Sequence, residues 1–342
     1  MPDSPAPDPD RGTASAPVRP PRRRLWPRLL GVVAGVLVLA LVGVGVYAWR
    51  VDRGLTSNIN RGIDLPTDDP SIGSRPTAAP ETGSLNYVLL GSDSRDPDDE
   101  GDGRSDSIMV AHLNEDRDKA YIISFPRDMW VDIPGHGKAK INAAYELGGP
   151  ALAVRTLEEL TDVRMDHVVL VGLEGFIGLT DDLGGVTVTN KTAFTSHGFD
   201  YPKGKITIQG EEALWFVRER KALPEGDLDR AENQRNVIKA IVAKGLSADV
   251  VSDPARFTAF TSNLAKHLTV DNGLTDEEIR RTALSLRLRS DDIELLQAPL
   301  SGFATSADGQ SIDVVDTEKL AELSEALEQD TMDEYIQKYP KG

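Results

Sequence analysis

The chain has 342 residues, a formal net charge of −17 and no cysteine. The acidic balance argues against a general nucleic-acid binder, which needs a basic face to displace phosphate counterions. The lack of cysteine excludes a disulfide framework, a cysteine nucleophile and thiolate metal sites. The five histidines are scattered, without an HxxxH or HxH pair. Any chemistry is therefore expected to use carboxylates, arginines, hydroxyls and a hard cation.

The N-terminal region differs from the rest in charge and hydropathy. Residues 1–50 carry a net charge of +4, which leaves −21 for residues 51–342. Residues 29–49 form an uncharged run of 21 residues, long enough as a helix to span about 30 Å of hydrocarbon. Arginines concentrate on its N-terminal side, so the positive-inside rule predicts a cytoplasmic N-terminus and an extracellular remainder. The alternative is a cleaved signal peptide, but the run ends in YAWR, a poor cleavage sequence.

The flanking segments are predicted to lack a core. Residues 1–28 are rich in Pro, Asp, Ala and Arg, which predicts a disordered cytoplasmic tail. Residues 50–82 contain four prolines among small and polar residues, which predicts an extracellular linker. The transmembrane helix is predicted at residues 29–49.

From residue 85 onward, apolar runs and helical patterns alternate. Strands are predicted at 85–90, 107–113, 120–125, 167–171, 186–189, 205–208, 293–297 and 311–315. Helices are predicted at 150–160, 174–183, 211–218, 229–246, 253–268, 275–287 and 317–328. This alternation predicts an α/β/α sandwich with a central mixed sheet, preceded by the single N-terminal transmembrane helix. We assign residues 83–250 to a catalytic domain and 251–342 to an α/β completion of it.

Two carboxylates flank the loop after the first strand. Asp93 leaves that strand and Asp106 enters the next. Two acids at the ends of adjacent strands can converge on one hard divalent cation. The alternative is a solvated acidic loop.

A second candidate site is rich in arginine. Arg127 follows Pro126 at a strand end, where ligands of α/β proteins commonly bind. A salt bridge to Asp128 or to another acid explains Arg127 equally well. Arg218 and Arg220 converge only if the helix unwinds there, which the following Pro224 and Gly226 permit. Arg230 shares a helical face with Gln234. Such a cluster suits phosphate. The alternative is a set of surface ion pairs with Glu219, Asp227 and Asp229. An acid pair combined with arginines is what phosphoryl transfer requires, whereas phosphate-loop, dinucleotide, serine-hydrolase and zinc-protease motifs are missing from the sequence.

Eight segments give the sequence a specific resemblance. They are LLGSDSR (89–95), RSDSIMV (104–110), SFPRDMW (124–130), KINAAYELGGP (140–150), DHVVLVGLEGF (166–176), LGGVTV (183–188), GEEALWFVRERK (210–221) and GDLDRAENQ (226–234). In this order, behind a membrane anchor, they closely resemble the LytR-CpsA-Psr family over about residues 85–246. The resemblance implies an extracellular enzyme that transfers a glycopolymer from a polyprenyl-pyrophosphate carrier onto peptidoglycan through a phosphodiester.

The resemblance also implies roles for single residues. Metal binding, by Mg²⁺ or Mn²⁺, is assigned to Asp93 and Asp106. Pyrophosphate binding is assigned to Arg104, Arg127, Arg218, Arg220, Arg230 and Gln234, and a catalytic role to Asp93, Arg127, Arg218 and Arg220. Lys140 and Asn142 match without a role. Phe176, Trp215 and Phe216 are candidates for lining the family's apolar tunnel for the polyprenyl chain. Such residues are more often simple core, so we do not assign them to the site.

Two other functions use the same residues. A polyprenyl-pyrophosphate hydrolase would place water where the wall hydroxyl attacks. A non-catalytic regulatory membrane protein would bind polyprenyl phosphate without turnover. The expected partners are the lipid-linked glycopolymer, peptidoglycan and the membrane, and no nucleic acid.

Overall fold

The computed structural model describes residues 59–68, 74–77, 83–92 and 105–340. The predicted cytoplasmic tail and transmembrane helix lie outside these residues. Within the described ranges, no helix is long and apolar enough to cross a membrane.

A mixed sheet of seven strands forms the centre of the described part. Its strands are β1 (Asn60–Ile63), β2 (Leu85–Ser92), β3 (Ser105–Leu113), β4 (Ala120–Ser124), β7 (His167–Gly172), β12 (Thr269–Asp271) and β13 (Ile293–Gln297), in the spatial order β1-β12-β7-β2-β3-β4-β13. Strands β2, β4, β7 and β13 run in one direction, and β3 runs against its two neighbours. The predicted mixed α/β fold is therefore confirmed.

Short hairpins surround the sheet. They are β5 (Trp130–Ile133) with β6 (Gly137–Lys140), β8 (Val186–Asn190) with β11 (Gly204–Ile208), β9 (Phe194–Ser196) with β10 (Phe199–Tyr201), and β14 (Leu300–Thr305) with β15 (Ser311–Val315). The helices are α1 (Ala143–Thr161), α2 (Leu173–Asp182), α3 (Gly210–Arg218), α4 (Asp227–Gly245), α5 (Ala248–Val251), α6 (Pro254–Lys266), α7 (Asp276–Ser285), α8 (Thr317–Glu328) and α9 (Met332–Lys338). The backbone of α1 breaks at Gly148 and Gly149, so its regular part starts at Pro150, as predicted.

Helices cover both faces of the sheet. Along each central strand, side chains alternate between two apolar clusters: Val88, Val110 and Ile123 pack with α1, α8 and α9. Met109 and Ile122, on the opposite face, pack with Ile238 and Val242 of α4. A separate cluster joins α2, α3, the β8–β11 and β9–β10 hairpins and part of α4. Phe216 is fully buried there and Phe176 packs against it, so both are core side chains.

The sheet begins inside the segment predicted as a linker. Strand β1 pairs in parallel with β12 although it lies at residues 60–63, before the predicted domain start at residue 83. Arg75, in the same segment, is 8 % exposed and donates to both carboxylate oxygens of Glu158 on α1. Short polar strands carry no apolar alternation, so composition alone did not distinguish them from a spacer. Strands β12 and β13 likewise bring residues after 250 into the same sheet.

Candidate functional site

The site residues gather at one end of the sheet. Strands β2 and β4 point the same way, so Ser92 and Ser124, their last residues, mark this end. A β-bulge separates Ser105 from Ser107, which pair with Ser92 and Gly91. Asp106 is thus the extra residue of a bulge, a device common beside active sites.

The predicted metal site is only partly described. Asp93, which follows Ser92 directly, and Arg104 lie outside the described residues, and of Asp106 only the backbone placement is described. That placement puts the backbone of Asp106 beside the end of β2. The convergence of Asp106 with Asp93 stays a prediction. Among the described side chains, no group of three or more histidines, aspartates and glutamates could hold a metal ion.

Arg127 is held in a turn after β4. The amide of Met129 donates to the carbonyl of Pro126 at 3.0 Å, which closes the turn around Arg127 and Asp128. The guanidinium Nε of Arg127 lies 3.4 Å from Oδ1 of Asp227, the first residue of α4. The side chain is 18 % exposed. Arg127 thus projects from the sheet end, as predicted, and reaches α4.

Arg218 and Arg220 follow one another around the end of α3. The helix ends at Arg218, and Glu219 is extended with φ −65° and ψ 135°. The predicted unwinding is therefore observed, and it releases Arg220 into an exposed turn. Within the described residues neither guanidinium is in an ion pair, so the alternative of pairs with Glu219, Asp227 and Asp229 does not hold for these two arginines. It does hold for Arg230, which pairs with Asp227. Arg218 instead lies 5.6 Å above the ring of Trp215, at cation–π distance.

The β9–β10 hairpin supports this turn from the side. His197, at its tip, stacks on Trp215 with ring centroids 3.5 Å apart and planes 9° apart. The hydroxyl of Ser196 donates to Glu219. Burial raises the pKa of Glu219, but this bond and those from the amides of Arg220 and Ala222 outweigh it and hold the pKa below its usual value. Glu219 therefore orders the turn and is not an ion-pair partner of the arginines.

Helix α4 supplies Arg230 and Gln234 on one face. Arg230, 4 % exposed, pairs with Asp227 at 2.6 Å, so Asp227 connects Arg230 and Arg127. Gln234 donates to the carbonyl of Val217 at 3.2 Å. Since Val217 precedes Arg218, this bond ties the last turn of α3 to α4.

A second carboxylate group lies beside Arg127. Asp128 pairs with Lys140 at 2.8 Å, and its carbonyl accepts from the amide of Asp313 on β15 at 2.9 Å. Burial, together with the charges of Asp128 and Asp227, raises the pKa of Asp313 to about 6. Asp313 belongs to the region after residue 250, where the sequence carried no motif, and sequence reasoning missed it.

Arg235 was also missed. It is 8 % exposed and points from α4 to β4, where Nη1 donates to the hydroxyl of Ser124. The sequence places it on the apolar face of the helix predicted at 229–246, because Ile238 and Val242 follow three and seven residues later. A charged residue on an apolar face marks a buried polar group.

Comparisons with known proteins agree with this geometry. The LytR_cpsA_psr family matches residues 63–329. A polyisoprenyl-teichoic acid–peptidoglycan teichoic acid transferase TagU of Bacillus mycoides is 35 % identical over 71 % of this chain and 80 % of its own length. The TagU of Enterococcus faecalis is 31 % identical over 89 % and 96 %.

Solved structures show the same fold. Bacillus subtilis TagV aligns with a TM-score of 0.63 at 24 % identity, over 72 % of this chain and 97 % of its own. TagT bound to LIIa-WTA aligns with a TM-score of 0.59 at 29 % identity, over 79 % and 100 %. The resemblance read from the eight sequence segments is confirmed: the chain belongs to the LytR-CpsA-Psr family.

Proposed function

We propose that this chain is a membrane-anchored, extracellular phosphotransferase that moves a glycopolymer from a polyprenyl-pyrophosphate carrier onto peptidoglycan. The observation that carries the proposal is the cationic turn of Arg218 and Arg220. Neither residue has a carboxylate partner in the described part of the chain, and Gln234 ties this turn to the helix of Arg230. Guanidinium groups without ion pairs, in a domain of strongly negative charge, suit a multiply charged anion. The teichoic acid transferase names of the relatives support the same reaction.

The reaction has a simple balance. A wall-sugar hydroxyl attacks the phosphorus attached to the glycopolymer and forms the new P–O bond. The bond between that phosphorus and the bridging oxygen breaks, and polyprenyl phosphate leaves with the electron pair. The hydroxyl proton passes to a carboxylate, for which we propose Asp93. Arg127, Arg218 and Arg220 neutralise the charge that grows on the transferred and leaving phosphates, and Arg104, Arg230 and Gln234 complete the pyrophosphate site.

A divalent cation is part of the proposal. Asp93 and Asp106 would hold Mg²⁺ or Mn²⁺, because hard oxygen donors suit these ions and the bulge places Asp106 at the end of the strand that Asp93 follows. When bound, the ion supplies charge neutralisation on the pyrophosphate oxygens.

The test is turnover by the full-length chain in detergent with a polyprenyl-pyrophosphate oligosaccharide and peptidoglycan fragments. We expect a phosphodiester-linked product that requires both peptidoglycan and Mg²⁺. A product that persists in excess EDTA would contradict the metal assignment alone. Asp106→Ala and Arg218→Ala are expected to lower the transfer rate by at least about 10²-fold, and Arg281→Ala, at an exposed position, serves as the matched control.

The same assay separates the two alternatives. Release of free polymer at the same rate with and without peptidoglycan would indicate a hydrolase. Tight polyprenyl-phosphate binding without turnover would indicate a regulatory binding protein.

A further inference from the structure

Arg235 is a buried cation that has no counter-ion among the described residues. It is 8 % exposed, and its one hydrogen bond within the described residues goes to a neutral hydroxyl, that of Ser124. Its Nε is buried and has no hydrogen-bond partner. The described part of the chain places no carboxylate in an ion pair with it. Burying a charge without a partner costs free energy, so a protein that keeps one needs an explanation.

Glu232, three residues earlier on α4, does not supply that partner. Its charge raises the pKa of Arg235, but its carboxylate is paired with Lys191 at 2.6 Å. Burial outweighs this charge and lowers the pKa of Arg235 to about 10. The side chain therefore remains protonated at neutral pH. It is a true cation held in a low-dielectric position, where attraction to an anion is strongest.

Arg235 lies at the sheet end that carries the proposed pyrophosphate site. Arg235 follows Gln234 on α4, and its partner Ser124 ends β4, three residues before Arg127. Gln234 and Ser124 both lie at the sheet end where the arginines of the proposed site are found. A second arginine in the described residues, Arg75, is buried equally but is bidentate to Glu158. The fold thus supplies a carboxylate to one buried arginine, whereas the described residues supply none to Arg235.

We infer that Arg235 binds a phosphate oxygen of the lipid-linked substrate as a further pyrophosphate-binding residue of this site. The inference rests on the proposed function. A phosphate oxygen accepts a hydrogen bond from the buried Nε of Arg235, which has no acceptor among the described residues. Before binding, the unpaired charge lowers stability. Binding removes this cost, so Arg235 contributes more to affinity than an exposed arginine of the same charge.

The test combines ligand affinity and stability on the full-length chain, with inorganic pyrophosphate as the probe. Arg235→Met, which retains volume without charge, is expected to weaken pyrophosphate binding at least tenfold. The unfolding midpoint of the ligand-free variant is expected to equal or exceed that of the wild type. Arg235→Lys keeps the charge without the planar guanidinium. Its pyrophosphate affinity is expected to lie between those of the wild type and Arg235→Met.

The opposite result is distinct. If Arg235 is only structural, Arg235→Met lowers the ligand-free midpoint and leaves pyrophosphate affinity within twofold of the wild type. Ser124→Ala separates the hydrogen bond from the charge, since it removes the hydroxyl and leaves the cation, and it is expected to change affinity less than threefold.

Arg218→Ala distinguishes failure of the inference from failure of the proposed function. A loss of affinity in Arg218→Ala with none in Arg235→Met overturns the role of Arg235 and leaves the phosphate site in place. No loss in either variant overturns both.

Discussion

Arginines at the two ends of the central sheet differ in the partners that their guanidinium groups contact. At the end where β2 and β7 begin, Arg75 donates to both oxygens of Glu158 and to the carbonyl of Met165. At the other end, Arg235 meets one serine hydroxyl, and Arg218 lies over an aromatic ring. Arg75 is paired and holds its segment to the domain, whereas Arg218 and Arg235 have no carboxylate partner among the described residues. Among these three arginines, pairing, more than burial, separates a structural role from the proposed role in anion binding.

The largest expected effect is at the end of the sheet that carries Arg75. Arg75→Met leaves Glu158, which is fully buried, without its counter-ion, so we expect a loss of about 3–5 kcal/mol in the free energy of unfolding. Urea unfolding of the full-length chain measures it. The matched control is Arg256→Met, an exposed pair with Asp253, where we expect a change within about 0.5 kcal/mol. A similar small loss in Arg75→Met would show that the pair is not structural.

At the opposite end, a large effect is expected on activity and not on stability. Arg218→Ala removes a cation that has no carboxylate partner among the described residues. Transfer should therefore fall about 10²–10³-fold, while the unfolding midpoint stays near that of the wild type. Initial rates of phosphodiester formation and thermal unfolding measure the two quantities. A lowered unfolding midpoint with a normal transfer rate in Arg218→Ala would show that Arg218 is structural and would contradict its assignment to the site.

Asp313 sharpens the comparison through pH. Its pKa is raised to about 6, so ionisation of Asp313 destabilises the folded state above that pH. This destabilisation disappears below the ordinary pKa of 3.8, where the carboxyl is protonated in both the folded and the unfolded state. The shift corresponds to at most about 3 kcal/mol, which relaxation and screening reduce to about 1–2 kcal/mol. Asp313→Asn is therefore expected to be more stable than the wild type by that amount at pH 7.5 and equal to it at pH 3.5.

Urea unfolding at the two pH values checks this expectation. The control is Asp291→Asn, at an exposed position, which should show no such pH-dependent gain. A gain in Asp313→Asn that persists at pH 3.5 would exclude ionisation as its cause.

The smallest effect concerns how Arg218 is positioned without a carboxylate. His197 stacks on Trp215, which faces Arg218, and such aromatic contacts are worth about 0.5–1.5 kcal/mol. His197→Ala should therefore lower kcat/KM about two- to tenfold, mainly through KM. The control is His136→Ala in the exposed β5–β6 turn. An equal loss in both variants would remove the stack from the account.

The predictable part of the fold is the part with local apolar signals. The runs at 85–90 and 293–297 became strands of the sheet, and α8 has the bounds 317–328 that its periodicity indicated. Strands such as NRGI in β1 and GKAK in β6 are short and polar. They form because distant partners offer hydrogen bonds, which no local pattern records.

The site follows the same division. The turn after Arg218 was foreseen because Pro224 and Gly226 disfavour a continued helix. Asp313 and Arg235 were missed because their character depends on neighbours remote in sequence, Asp128 and Ser124. A buried charge is recognised only when the absence of its partner is visible in three dimensions.

The most direct test of the contrast is the dissociation constant of a short-chain polyprenyl pyrophosphate for three full-length variants in parallel. We predict that Arg218→Ala and Arg235→Met each weaken binding at least tenfold, because each variant loses a cation that binds the diphosphate. Arg75→Lys, which keeps the charge opposite Glu158, is predicted to bind within twofold of the wild type. Equal weakening in all three variants, or none in the first two, would contradict the account.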